Sequence, residues 1–186
     1  MNIPNLLLIA GTGTKSGKTT MACRLIEQFG TLNITAIKIS PHFHETTTGL
    51  KTVFEEPGYA LYEETNNDTG KDTSRMLHAG AKKVYFAKVL DDRINFVFNK
   101  IIDLIPEGTP VICESPALRN FAEPGVFIIM SSETTNKRKN INHLQELPHV
   151  MFKFEELDKL STIPVEFKDG RWSVISKSFC NAIDPL

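Results

Sequence analysis

The residues with the clearest chemical pattern run from Gly11 to Thr20 (GTGTKSGKTT) and directly follow the apolar stretch 6–10 (LLLIA). Glycines in such a turn let backbone N–H groups curve around phosphate oxygens, and the N-terminus of a following helix adds partial positive charge. The Lys18 ammonium can reach the β- and γ-phosphates, and the Thr19 hydroxyl is a suitable ligand for Mg²⁺. The pattern therefore predicts a cradle for the triphosphate of a nucleotide, with Mg²⁺ as its metal.

The loop is one residue longer than the standard pattern. G-x-x-x-x-G-K-[ST] requires glycine at position 12, where Thr12 stands between Gly11 and Gly13. Lys15, inside the loop, could add charge at the γ-phosphate or point outward. The residues expected to bind the nucleotide are Gly13, Thr14, Lys15, Ser16, Gly17, Lys18, Thr19 and Thr20.

Three charged residues outside the loop are candidates for the same site. Glu114 ends an apolar strand, where open α/β sheets bind ligands, and its carboxylate could hold Mg²⁺ directly or through water. Asp72 competes for that role, although it also heads a predicted helix, where an acid is favourable without any metal. Lys38 lies near the end of an apolar strand, where it could contact a phosphate or extend to solvent. We expect Thr19, Asp72 and Glu114 at the metal, and Lys15, Lys18 and Lys38 as catalytic cations.

Two further segments leave alternatives open. His42, His44 and Glu45 could bind a metal, touch a phosphate-bearing substrate or form an ordinary loop. The run 136–139 (NKRK) begins like the guanine-reading N-K-x-D motif, but Lys139 replaces its aspartate, so ATP and GTP both remain candidates. The sequence has no G-x-S-x-G motif and no Cys–His pairing, so phosphoryl chemistry would depend on positioning and electrostatics.

The elements that must position these groups are those of a doubly wound, mostly parallel α/β sheet in one domain, 1–186. Apolar spacing predicts helices at 18–29, 72–78, 94–105, 134–145 and 155–160, and strands at 6–10, 33–39, 84–87, 110–113, 126–130 and 150–152. Residues 40–70 predict an irregular flap, in which 59–62 could pair as an edge strand. Residues 163–176, with Asp169-Gly170 between two β-rich runs, predict a C-terminal hairpin.

Composition gives no support to several other classes of function. The 186 residues are 41% hydrophobic and 23% charged, as expected for a globular domain. A net charge of −1 gives no reason to expect a nucleic-acid or membrane partner. The three cysteines are too widely spaced to predict a zinc site or a disulfide framework. Without a signal-peptide pattern or a membrane-length apolar run, the sequence predicts a cytoplasmic protein.

Several segments resemble the P-loop branch that includes dethiobiotin synthetase, the cobyrinate amidases and the MobB family of molybdenum-cofactor biosynthesis. The loop 11–19 has the G-T-x-T-x-x-G-K-T spacing of dethiobiotin synthetases, whereas 37–45 (IKISPHFHE), 70–81 (GKDTSRMLHAGA) and 111–114 (VICE) are similar to MobB. The resemblance implies a P-loop fold and a homodimer with nucleotide sites near the subunit interface. It also implies Mg²⁺ with ATP or GTP, and places Asp72 and Glu114 near the metal.

Three functions are compatible with these patterns. The first is a slow Mg²⁺-dependent nucleoside triphosphatase with a MobB-like role in cofactor biosynthesis. The second is an ATP-dependent ligase of dethiobiotin-synthetase type, in which Lys15, Lys18 and Lys38 gather a carboxylate or carbamate substrate. The third is a nucleotide-dependent adaptor that binds a partner enzyme without useful turnover, with residues 40–70 as its switch or docking surface.

Overall fold

The computed structural model describes residues 1–41, 48–135, 137 and 139–175, so His42 and His44 lie outside the described residues. The strands are β1 (Asn2–Gly11), β2 (Thr35–Ser40), β3 (Leu50–Glu56), β4 (Tyr59–Glu64), β5 (Lys83–Val89), β6 (Val111–Glu114), β7 (Glu123–Ser131), β8 (Val150–Lys153), β9 (Val165–Lys168) and β10 (Arg171–Val174). The helices are α1 (Lys18–Gln28), α2 (Asp72–His78), α3 (Ile94–Ile102) and α4 (Asn142–Gln145).

An eight-stranded sheet in the order β3-β4-β5-β2-β6-β1-β7-β8 forms the centre of the molecule. β1 lies between β6 and β7 and is parallel to both, with Leu8 opposite Cys113 on one side and Phe127 on the other. β3 and β4 run antiparallel at one edge, and the remaining strands of this sheet pair in parallel. The carboxyl ends of β1, β2 and β6 therefore meet at one edge, where open α/β sheets bind ligands.

Both faces of the sheet are buried, which explains why β1 is apolar without alternation. Leu7 and Ile9 pack on one face with α1 and α2. Leu6 and Leu8 pack on the opposite face with α3. The predicted α/β class with a mostly parallel sheet is confirmed.

The predicted C-terminal hairpin is also confirmed. β9 and β10 pair antiparallel across a turn in which Asp169 and Gly170 both have positive φ. The hairpin packs against the layer that contains α1, because Trp172 is fully buried with ring centroids 5.0 Å from those of both Phe29 and Phe167. This large aromatic contact makes the hairpin part of the domain core.

The prediction of an irregular flap at 40–70 is wrong for residues 50–64. β3 and β4 form an antiparallel hairpin that extends the main sheet, so residues 59–62 belong to an inner strand between β3 and β5. Pro57 and Gly58 supply the turn, and the φ of +88° at Gly58 suits the second central position of a type II turn. The strand pattern is weak in the sequence because most of β3 is exposed and polar.

The predicted helix at 134–145 is wrong for most of its described length, since regular helix occurs only at α4 among the residues described there. The backbone N–H of Lys139 donates to the carbonyl of Thr12, which draws this segment across the Gly-rich loop. Side chains also compete with helical hydrogen bonds, because the Ser132 and Asn140 side chains accept hydrogen bonds from backbone N–H groups two residues later.

Two other predicted helices are present with different bounds or type. The helix predicted at 94–105 is α3, which ends at Ile102. The helix predicted at 155–160 is a 3-10 helix at Phe154–Lys159.

Candidate functional site

The site is built around the turn that joins β1 to α1. Lys15 has a φ of +60° and Gly17 a φ of +88°, so two residues of this turn have positive φ before α1 begins at Lys18. A Cβ atom at Gly17 would lie 2.5 Å from Cδ2 of Phe154, and one at Gly13 would lie 2.2 Å from the carbonyl oxygen of Lys137. Glycine is therefore required at both positions by close packing, and at position 17 also by the backbone conformation.

The Lys18 side chain lies across this turn. Its Nζ donates to the carbonyl oxygen of Gly13 at 3.0 Å and lies 3.4 Å from the Ser16 hydroxyl. The Ser16 hydroxyl is fully buried and donates to the same carbonyl at 3.1 Å. Burial lowers the pKa of Lys18 and outweighs the opposing effect of the Glu114 carboxylate. A cation is thus held at the mouth of the loop, next to the N-terminus of α1.

Glu114 joins α1 to two other elements of the fold. Its carboxylate is buried at the end of β6, where Oε2 accepts a 2.7 Å hydrogen bond from the Thr19 hydroxyl. Its other oxygen, Oε1, accepts a 3.2 Å hydrogen bond from Nζ of Lys38, near the end of β2. Both oxygens of one carboxylate are therefore engaged, one by a neutral donor and one by a cation.

Lys38 also forms an ion pair with Asp72, at the first position of α2. Burial acts to lower the pKa of Lys38, but the carboxylates of Glu114 and Asp72 outweigh it and hold this pKa above its usual range. Burial likewise acts to raise the pKa of Asp72, and the Lys38 ammonium outweighs it and lowers that pKa. Lys38 thus lies between two acids rather than extending to solvent.

A cavity of about 580 Å³ opens beside these groups. It brings together every predicted site residue except Gly13, which lines an adjoining cavity of about 290 Å³. The lining residues of the larger cavity are Thr14, Lys15, Ser16, Gly17, Lys18, Thr19, Thr20, Lys38, Asp72, Arg75, Glu114, Thr134 and Phe154.

Sequence reasoning missed Arg75, Thr134 and Phe154 as residues of this cavity. Arg75 follows Asp72 by one helical turn, with the guanidinium 4.0 Å from the Asp72 carboxylate. Phe154 directly follows β8, a strand parallel to β7. The position of Phe154 after a parallel strand is a signal that could have identified it, because ligands bind at that edge of an open sheet.

The smaller cavity shares Thr14, Lys18, Lys38 and Glu114 with the larger one. It extends over Ser115 and Lys139, and Lys139 is held there by the hydrogen bond from its backbone N–H to Thr12. Lys18 and Lys38 therefore line both cavities.

The oxygen atoms of Thr19, Glu114 and Asp72 are the groups that could hold a metal ion. A hydroxyl with one or two carboxylates is the type of donor set that Mg²⁺ shares with phosphate oxygens and water. The described residues contain no cluster of three or more His, Cys, Asp or Glu side chains suited to binding a metal by themselves. The donor set thus fits a hard cation that also binds a phosphate ligand.

Comparisons with models of known protein families, with curated proteins and with solved structures found no match. Across the described part of the chain, every helix is too short or too polar to cross a membrane.

Proposed function

We propose that the larger cavity binds a Mg²⁺–nucleoside triphosphate, ATP or GTP, and that the protein hydrolyses it slowly. The observation that carries this proposal is the convergence of three groups at the N-terminus of α1: the Lys18 ammonium, the Thr19–Glu114 hydrogen bond and the Lys38 ammonium. The backbone N–H groups of a Gly-rich turn and the helix dipole add to the same positive potential.

Each residue has a role that follows from its chemistry. Lys18 and the loop residues from Gly13 to Thr20 would bind the phosphates, and Lys15, exposed at the rim, would add charge near the terminal phosphate. Thr19, Glu114 and Asp72 would hold Mg²⁺, which supplies charge neutralisation to the phosphate oxygens when bound. Lys38 would orient both carboxylates and balance the charge of a triphosphate.

Slow turnover follows from the state of the two carboxylates that line this cavity. The Lys38 ammonium lowers the pKa of Asp72, so this carboxylate is poorly suited to take a proton from water. Both carboxylate oxygens of Glu114 already accept hydrogen bonds, from Thr19 and from Lys38. Catalysis would then depend on positioning and charge stabilisation, with no strong general base.

The resemblance to the MobB family supports the wider context of this proposal. It implies a P-loop fold, a role in cofactor biosynthesis and a homodimer, whereas a partner enzyme belongs to the alternative of an adaptor without turnover.

The smaller cavity favours a second candidate, an ATP-dependent ligase. Three lysines, Lys18, Lys38 and Lys139, line this space with one acid, Glu114, and this excess of cations suits a carboxylate or carbamate substrate. A substrate bound there would lie next to the group that holds the terminal phosphate.

Phosphate release with Mg²⁺ and ATP or GTP tests these functions, with Lys18→Ala as the inactive variant and exposed Lys168→Ala as the matched control. Slow release from the protein alone, lost in Lys18→Ala and kept in Lys168→Ala, supports the triphosphatase. Release that requires an added small amine or carboxylate favours the ligase. Tight nucleotide binding without release in any mixture favours the adaptor.

A further inference from the structure

We propose that the Phe154 ring is a stacking platform for the base of a purine nucleotide, so that the site selects purine nucleoside triphosphates over pyrimidine ones and over inorganic polyphosphate. This inference rests on the proposed function, because it assigns the part of the same cavity that the phosphates would leave open.

The exposure of Phe154 is the first observation. Its side chain is 40% exposed, although phenylalanine is usually buried. Eight large hydrophobic side chains are exposed in the described chain: Met1, Val53, Leu90, Phe96, Leu104, Phe121, Phe154 and Ile175. Of these eight, Phe154 alone lines the larger cavity. Part of this aromatic ring is therefore open to the same space as the cationic groups.

The packing of Phe154 on the loop is the second observation. Its Cδ2 and Cγ atoms lie 2.5 Å and 3.1 Å from the point that a Cβ atom at Gly17 would occupy. The missing side chain at Gly17 lets the ring lie directly on the loop that would bind the phosphates. A ligand held there by its phosphates would bring an attached base to the edge of the loop, where this ring lies.

The residue after Phe154 fixes the platform in place. Oε1 of Glu155 accepts hydrogen bonds from the Ser132 hydroxyl at 2.5 Å and from the backbone N–H of Glu133 at 3.0 Å. The Ser132 hydroxyl also lies 3.0 Å from the hydroxyl of Thr134, a second residue of the cavity wall. The segments that follow β7 and β8 are thus tied together beside the ring, which reduces the ordering needed when a base binds.

A flat aromatic face stacks on any base, but the larger rings of purines give a greater contact area. Because the Ser132 O–H donates to Glu155, the Thr134 hydroxyl donates to Ser132 in their 3.0 Å contact, and its oxygen can accept a hydrogen bond from an amino group of the base. This chemistry fits adenine and guanine alike.

Calorimetric binding of ATP, GTP, CTP and inorganic tripolyphosphate, each with Mg²⁺, tests the platform in the full chain. The variants are Phe154→Ala, Phe154→Tyr, which keeps an aromatic face, and Phe121→Ala, which removes an equally exposed ring outside the cavity. Folding of each variant is checked by the fluorescence of Trp172, the single tryptophan.

We expect Phe154→Ala to weaken binding of ATP or GTP about 10- to 100-fold and to leave tripolyphosphate affinity unchanged, because only the base loses a partner. Phe154→Tyr and Phe121→Ala should match the wild type, which should bind a purine triphosphate more tightly than CTP. Equal weakening of tripolyphosphate and nucleotide, no effect of Phe154→Ala, or equal affinity for CTP would overturn the platform while leaving the phosphate site intact. A wild type that binds neither tripolyphosphate nor nucleotide would overturn the proposed function itself, and the inference with it.

Discussion

The Thr19 hydroxyl donates a 2.7 Å hydrogen bond to Oε2 of Glu114, and the two residues are 95 positions apart in the chain. This bond links the first turn of α1 to the end of β6, so the loop after β1 and the adjacent strand share one buried polar contact. Lys38 and Asp72 extend the contact to β2 and α2. The four side chains therefore form a single connected network of hydrogen bonds and ion pairs, and replacing one of them should alter the interactions of the others.

Replacing the Thr19 hydroxyl tests this network. Thr19→Val keeps the shape of the side chain but leaves one oxygen of a buried carboxylate without its donor, so unfolding should become easier by about 1–3 kcal/mol. Thr19→Ser, which keeps the hydroxyl, should lose much less stability. Urea denaturation measures the stability, and nucleotide binding with and without Mg²⁺ measures the function. We expect Thr19→Val to remove the Mg²⁺ dependence of binding, and an unchanged dependence in this variant would contradict a role for the hydroxyl at the metal.

The ion pair of Lys38 and Asp72 predicts a particular dependence of stability on acid. The pKa of Asp72 in the folded state lies below its ordinary value of 3.8. The ion pair therefore adds its full share to the free energy of unfolding above pH 3.8, and this share is lost as the pH falls through the lower, folded-state pKa. Wild-type stability should therefore fall more steeply than that of Asp72→Asn between about pH 5 and pH 2. Thermal unfolding across this range measures the difference, with exposed Asp68→Asn as the control. Parallel curves for wild type and Asp72→Asn would rule out the predicted coupling.

Gly17 is expected to be needed for two separate reasons. Gly17→Ala would force a side chain into a φ of +88° and within 2.5 Å of the Phe154 ring. Gly108→Ala is the matched control, because its φ is +74° and nothing lies within 4 Å of the added methyl group. Backbone strain should cost both variants about 1–2 kcal/mol of stability, and Gly17→Ala should lose more because its methyl group also overlaps the Phe154 ring. Nucleotide affinity should fall only in Gly17→Ala, and equal affinity in the two variants would show that the close packing of loop and ring is not needed.

The C-terminal hairpin should contribute to stability without contributing to the site. Trp172→Ala removes a fully buried ring from between Phe29 and Phe167, and we expect a loss of about 3–5 kcal/mol in the free energy of unfolding. Trp172→Phe should lose less, because the indole N–H is buried without a partner among the described residues. Denaturant titration measures both variants. Nucleotide affinity of the folded Trp172→Ala protein should equal that of the wild type, and a large loss of affinity would mean that the hairpin supports the site directly.

Local sequence patterns predict the parts of the site that are continuous in the chain. The loop from Gly11 to Thr20 and the strand end at Glu114 follow from glycine spacing and apolar runs, since each lies within one strand–turn–helix or strand unit. The partners of Lys38 could not be predicted in this way, because Asp72 and Glu114 are 34 and 76 positions away. Which charges meet is decided by strand order, and the position of β2 beside β6 has no local signal.

The two wrong assignments have local causes that a hydrophobic pattern does not record. The Pro57-Gly58 turn joins β4 to β3, the strand at the edge of the sheet. Most residues of β3 are exposed and polar, so the alternation of apolar and polar residues expected of a half-buried strand is absent from it. In the segment 134–145, hydrogen bonds to the Gly-rich loop and to nearby side chains replace those of a helix. Two of the residues that make these contacts, Thr134 and Lys139, also line the two cavities.

The central claim is that Lys18 and the loop around it bind a triphosphate. The most direct test is the midpoint of thermal unfolding with ATP, GTP, ADP and GDP, with and without Mg²⁺, for wild type, Lys18→Ala and Lys168→Ala. A ligand at a hundred times its dissociation constant adds about 2.7 kcal/mol, which should raise the midpoint by roughly 5–10 °C for a chain of this size. We predict a Mg²⁺-dependent rise with ATP or GTP in wild type and Lys168→Ala that is absent in Lys18→Ala. No rise with any nucleotide, or an equal rise in Lys18→Ala, would contradict the account.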